Sequence, residues 1–342
     1  MLDRLAARTL ELVDIPSESR DEARLAAHVA GLLRAGGMDV LDLGDTCVLA
    51  RPPGVRPPLL LAGHLDTVPA QGNRPGRLDG DRVVGLGASD MKGALGVMIE
   101  LGLADVPYGL LFFGREELPA QESALRPLLE RSREEVAAEL VLMMEPTDNA
   151  IHAGCLGNIN ASWRFEGRAG HSARPWEARN AIHLAAEAIA ELARIAPEDH
   201  DFDGLVFREV ASVTRIEGGI ASNVIPAEAE ALVNFRYAPG RSPEEGEARL
   251  AELCRGGTLE IRSNSPSGPV ATANPHARRL AELGGLAIAP KQAWTPVAEF
   301  GLFGIDAINF GPGAPAQAHQ RGEYVEVSAL VESYALLARF AA

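Results

Sequence analysis

Three apolar runs in this chain stop abruptly at acidic or imidazole side chains. Leu59-Leu-Leu-Ala-Gly runs into His64-Leu-Asp66-Thr-Val-Pro69, Tyr108-Gly-Leu-Leu-Phe-Phe-Gly-Arg into Glu116-Glu117, and Leu140-Val-Leu-Met-Met into Glu145-Pro-Thr. Such short runs read as buried strands, and open sheets keep their sites at strand ends. Farther along, Ala318-His319-Gln-Arg-Gly-Glu323 brings another imidazole and another acid. Asp90 sits in the Gly-rich stretch Gly85-Leu-Gly87-Ala-Ser-Asp90-Met-Lys-Gly93, which opens into a helix. No GxxxxGK[ST] is present, so a phosphate cradle is a weak match, and Asp90 is open to two roles, helix N-cap or metal bridge. Histidines and carboxylates without thiolates suit zinc or a similar first-row divalent ion with water at an open position. Five such groups are too many for one tetrahedral ion, whereas a carboxylate shared between two ions uses them all.

Neighbouring residues on an extended chain point apart, so Glu116 and Glu117 would do different jobs. Two adjacent acids at a buried strand end repel, and one stays protonated unless a cation is near. If the first strand persists past His64, Asp66 shares its face and can hydrogen-bond the ring nitrogen that a metal leaves free. An ordinary acidic loop is the plainer reading of each segment alone; its recurrence on three strands weakens that reading.

Elements able to position these groups can be read from periodicity. Apolar residues at helical spacing over 1–38 break at Ile15-Pro16-Ser17, which fits two helices. To about residue 150, β-rich runs (40–43, 47–51, 59–62, 108–113, 140–144) alternate with helical stretches (92–103, 122–131), the pattern of helices covering a buried sheet. Beyond residue 157 the order is strand 159–166, helix 178–195, strands 209–217 and 229–237, helix 243–254 and strand 258–263, a ferredoxin-like split β-α-β-β-α-β pattern. After a Gly/Pro/Asn-rich stretch the chain returns to helix, strand 307–310 and a last helix. The expected architecture is α/β. A discontinuous catalytic domain (1–157 and 270–342), built on a mixed sheet flanked by helices, is interrupted by an inserted ferredoxin-like α+β domain (158–269).

Length and charge narrow the function. The 342 residues suit about two domains. With 32 Lys+Arg against 47 Asp+Glu, a net charge of −15 is the wrong sign for binding nucleic acid or an anionic membrane. Three scattered cysteines, Cys47, Cys155 and Cys254, argue for reduced thiols rather than a disulfide framework. The amino terminus lacks the apolar core of a signal peptide, so a cytoplasmic location is expected. His28, His152, His183, His200 and His276 have no metal-ligand context.

Taken together, G-H-L-D-T-V-P, S-D-M-K-G, the Glu pair, E-P-T, A-G-H-S at 169–172, N-V-I-P at 223–226 and the late His319 resemble the zinc-dependent aminoacylase and carboxypeptidase family, whose members hydrolyse amide bonds next to a free carboxylate. The resemblance covers nearly the whole chain. It implies two zinc ions per subunit, for which cobalt can substitute: His64 and Glu145 on one, Glu117 and His319 on the other, Asp90 bridging. It further implies Glu116 as general base, a cis peptide after Asp90, and a lid and dimerisation role for the inserted domain. His171 would be delivered across a homodimer interface as oxyanion donor.

Within the family, residues 12–23, His171-Ser-Ala-Arg-Pro-Trp176, Val233-Asn-Phe-Arg236, Trp294-Thr295 and Asn309-Phe-Gly-Pro-Gly313 resemble the branch that removes succinate from N-succinyl-L,L-diaminopimelate in lysine and cell-wall precursor synthesis. That implies Asn223, Arg236 and Thr295 as substrate-binding residues, with a planar guanidinium suited to a carboxylate. Pro296 and Glu299 depart from it, standing where relatives carry an acid and an arginine. If that loop meets a substrate carboxylate, Glu299 reverses the local charge. The alternatives are a sister deacylase acting on N-acetylornithine, a dipeptidase, and a non-catalytic metal-binding or ligand-sensing protein on the same fold.

Overall fold

The computed structural model describes residues 1–119 and 121–341. Its chain divides into two compact units, one of residues 1–154, 269–289 and 295–342, the other of 155–268 and 290–294.

In the larger unit an eight-stranded mixed sheet runs in the order Asp39–Asp42, Val48–Arg51, Gly109–Phe113, Leu59–His64, Leu140–Met143, Ala307–Asn309, Ile151–Ala153, Ile288–Pro290. The four central strands, from Gly109–Phe113 to Ala307–Asn309, are mutually parallel. Every residue of these four is buried, as expected of parallel strands covered on both faces, which explains their unbroken apolar runs. Helix Gly93–Leu103 is buried along its whole apolar surface, packed against helices Leu2–Val13 and Val327–Ala341. Its single acid, Glu100, is fully buried and taken by Arg4 and Arg8, so the charge is neutralised where it enters the core.

The smaller unit is an antiparallel five-stranded sheet ordered Glu198–Phe202, Leu205–Gly218, Glu228–Tyr237, Gly157–Glu166, Thr258–Ser265. Leaving out the first, this is the second, third, first and fourth strand of the ferredoxin-like unit, in agreement with the sequence pattern. Helices Ala181–Leu192 and Pro243–Leu253 pack on it over Trp163, Phe165, Phe235 and Tyr237. The first helix starts later than its periodicity suggests: Asn180 accepts from Ile182 N at 2.9 Å and caps it, while Pro175–Glu177 forms a separate 3-10 turn. Strand Glu198–Phe202 escaped the pattern because three of its five residues are acids; it exists by pairing with Leu205–Gly218 in a hairpin.

None of the three cysteines forms a disulfide, and all are buried. Among the described residues no helix is long and apolar enough to cross a membrane.

Candidate metal centre

Strand register assembles the site. His64 stands opposite Phe113 and Ala62 opposite Met143, so the chains leaving these strands carry Glu116, Glu117 and Glu145 to the end where His64 stands. A Cβ at the preceding Gly63 would lie 2.7 Å from both Leu95 Cδ2 and Met91 Cε. Glycine there lets helix Gly93–Leu103 close on the strand and brings the Asp90 loop up to the imidazole.

The polar atoms then converge. His64 Nε2 is 3.1 Å from Asp90 Oδ1, and His319 Nε2 is 3.0 Å from Glu117 and 3.7 Å from Asp90 Oδ2. One donor atom each from His64, Asp90 and Glu117 falls within 4.8 Å of the others. Burial first, then the charge of Glu145, holds the Glu116 carboxyl well above its usual pKa. The Glu117 contact raises His319 to about 9. Carboxylates crowded around two imidazoles, with no thiolate among them, have the chemistry of a divalent cation site.

Asp66 works differently from the sequence expectation. His64 Nδ1 lies 3.0 Å from the Asp66 main-chain oxygen, against 3.6 Å from its carboxylate. A carbonyl can only accept, so Nδ1 donates to it, which leaves Nε2 as the nitrogen that faces Asp90. The carboxylate instead accepts from Glu116 N at 2.9 Å, Glu117 N at 3.1 Å and Ser19 Oγ at 2.8 Å. The strand ends at His64, which frees Asp66 to turn toward the neighbouring loop.

The Asp90 loop is fixed from three sides. Glu323, buried, accepts from Gly87 N, Ser89 N and Asp90 N at 2.8, 2.9 and 3.0 Å. Burial pushes its pKa up to about 7 against those three donors. Ser89 Oγ donates to Ala314 O at 3.0 Å, and the buried Lys92 donates from Nζ to Ile15 O at 2.7 Å. Burial lowers the Lys92 pKa to about 7. The Asp90–Met91 peptide is cis, as expected.

Thr295 is buried in the larger unit just before helix Val297–Leu302. Glu299, on that helix, is fully buried and fork-bonded to Arg126, with Arg126 Nε donating at 2.7 Å and Nη2 at 3.0 Å. Its charge is thus already matched by Arg126.

His171 and Asn223 meet in the smaller unit. Gly170–His171 pairs with Val224–Ile225, and Ser172 N donates to Asn223 O at 3.0 Å. His171 is exposed, and its Nδ1 accepts from Ala173 N at 3.1 Å, so the neutral ring carries its proton on Nε2 as an outward donor. Arg236 lies half-buried on Glu228–Tyr237, its Nε donating to Asn234 Oδ1 at 3.0 Å.

Two features escaped the sequence. Ser19 lies in the interhelical break, which closes on the site because Thr67 N donates to Ser17 O and Ser19 N to Thr67 O. Glu198, His200 and Glu209 also form a close cluster, though His200 carried no ligand signal. There Arg241 and Ala238 N hold Glu209 while Arg249 holds Glu198, so both acids are already satisfied.

Residues 154–261 match the peptidase dimerisation domain of the M20 family. A succinyl-diaminopimelate desuccinylase of Corynebacterium glutamicum is 31% identical over 97% of this chain and 94% of its own. A protein of Mycobacterium tuberculosis that carries the same name provisionally is 37% identical over 97% and 96%. The fold is shared with an M20 metallo-carboxypeptidase of Sulfolobus solfataricus, at a TM-score of 0.78 and 17% identity over 99% of this chain and 98% of that one. The chain belongs to the M20 peptidase family of metal-dependent amide hydrolases.

Proposed function

We propose that this protein is a di-zinc N-succinyl-L,L-diaminopimelate desuccinylase of the cytoplasm, releasing succinate and L,L-diaminopimelate. The observation that carries the chemistry is the convergence of His64, Asp90 and Glu117 with a protonation-prone Glu116 beside them. The full-length similarity to desuccinylases supports the substrate. Residues 1–157 and 270–342 form the catalytic domain, and 158–269 the lid through which the protein forms a homodimer.

His64 with Glu145 would hold one zinc ion and Glu117 with His319 the other, with Asp90 shared between them; cobalt could replace zinc. Bound there, the ions supply Lewis-acid polarisation of the scissile carbonyl and acidify water. Glu116 takes the proton of the attacking water on its carboxylate and passes it to the departing amine. Asp66 fixes the main chain of both glutamates and the His64 tautomer. His171, through Nε2–H, donates to the developing oxyanion. Asn223 and Arg236 bind a substrate carboxylate, and Thr295 lines the acyl side.

Hydrolysis of N-succinyl-L,L-diaminopimelate and N-acetylornithine is compared on the zinc-loaded protein, with Glu116→Gln as control. Turnover of the succinyl compound alone is expected. Turnover of only the acetyl compound makes the protein a sister deacylase.

A further inference from the structure

We propose that the loop 71–77, together with Arg321, forms a binding site for a small oxyanion, a carboxylate or a phosphate, outside the metal centre. A cavity of about 410 Å³ there is lined by Arg74, Arg77 and Arg321 and by no acidic residue. Other cavities of the molecule present Glu198 and Glu209, Asp39, or Asp42 and Asp45 in their walls. In a chain of net charge −15, a cavity lined by three arginines and no acid stands apart from those others.

These arginines are also poorly matched inside the protein. Arg126 and Arg208 each grip a carboxylate with two nitrogens. Arg74, in contrast, reaches Glu18 through Nη1 at 3.5 Å, while its Nε and Nη2 are buried without a hydrogen-bond partner. Arg77 stands 3.9 Å from Asp79, and Arg321 has no carboxylate partner among the described residues. Buried donors without acceptors are uncommon, and Arg321, exposed on the opposite loop, leaves its own guanidinium free to take two oxygens of one anion.

The cavity walls are braced. Asn73 donates from Nδ2 to Gln320 O at 2.7 Å and accepts at Oδ1 from Gly322 N at 2.8 Å, tying the two loops together. Gly76 N is held by Asp14 Oδ1 at 2.8 Å. Asp14, Glu18 and Asp79 are not among the lining residues. Arg321 lies between His319 and Glu323, so an anion gripped by Arg321 bears on the segment that carries both.

The test titrates the zinc-loaded protein with inorganic phosphate by calorimetry. Wild type should bind phosphate, and Arg321→Ala, an exposed change that spares the fold, should weaken binding about tenfold or more with metal content unchanged. Arg74→Lys should also weaken it, because an ammonium cannot reproduce the fork. The proposal is overturned if wild type shows no binding, or if both variants bind like wild type; loss of that binding on chelation would place the anion on the metal ions. Inhibition kinetics separate the sources. Phosphate competitive with an acyl substrate in wild type but not in Arg321→Ala assigns the site to the substrate's own carboxylate; non-competitive inhibition lost in the same variant assigns it to a free anion. The calorimetric arm stands whatever the acyl substrate proves to be.

Discussion

The metal centre and the His171 corner are assigned to one reaction, yet they are built on opposite terms. At the centre His64, Asp66, Glu145 and Glu323 are buried, and two of these acids tie down the neighbouring loops by accepting from main-chain donors: Asp66 takes two, Glu323 three. The His171 corner rests on a two-residue ladder, with Trp176 75% and Ile220 89% exposed nearby in sequence. Groups that hold concentrated charge in fixed geometry need redundant restraint, because repulsion among them works against the fold. A single outward donor needs only a correct tautomer.

Four experiments bear on that contrast. The largest effect is expected for Glu116→Gln: turnover falls about a thousandfold while metal analysis still finds the zinc content of wild type. Retained turnover would remove Glu116 from proton transfer. His171→Ala should lower kcat about a hundredfold with metal content and melting temperature unchanged; a fall in melting temperature would mean the corner is restrained after all. Glu323→Ala should weaken zinc about tenfold or more, read by chelator competition, since three main-chain donors lose their acceptor and the Asp90 loop its shape. Unaltered affinity would show that Ser89 and Lys92 suffice. Smallest is Ser19→Ala, about 1 kcal/mol less stable in denaturant unfolding through loss of one hydrogen bond to a carboxylate. A null result there would mean that the two glutamate amides alone hold Asp66.

The same contrast explains what could be read from the sequence. His64, Asp90 and Glu117 were legible because strand ends and a glycine-rich loop mark their positions locally, whereas His319 was picked out by the family resemblance; the structure brings all four together. The alternation of runs gave the layered fold for the same reason. Partnerships across long sequence separation leave no periodic trace. Ser19 meets Asp66 across 47 residues and Arg126 meets Glu299 across 173. Nothing near Glu299 announces that its charge is already matched. The strand Glu198–Phe202 was hidden because tertiary pairing overrides its polar composition.

The cradle around Glu323 also bears on the order of events during synthesis. The amides of Gly87, Ser89 and Asp90 look to a carboxylate that lies more than 230 residues farther along the chain. A polypeptide emerging amino end first exposes His64, Asp90, Glu117 and Glu145 long before His319 and Glu323 are made. The Asp90 loop therefore reaches this shape only after residue 323 has been made. A chain cut short before residue 323 would carry His64, Asp90, Glu117 and Glu145 without the carboxylate that shapes the Asp90 loop.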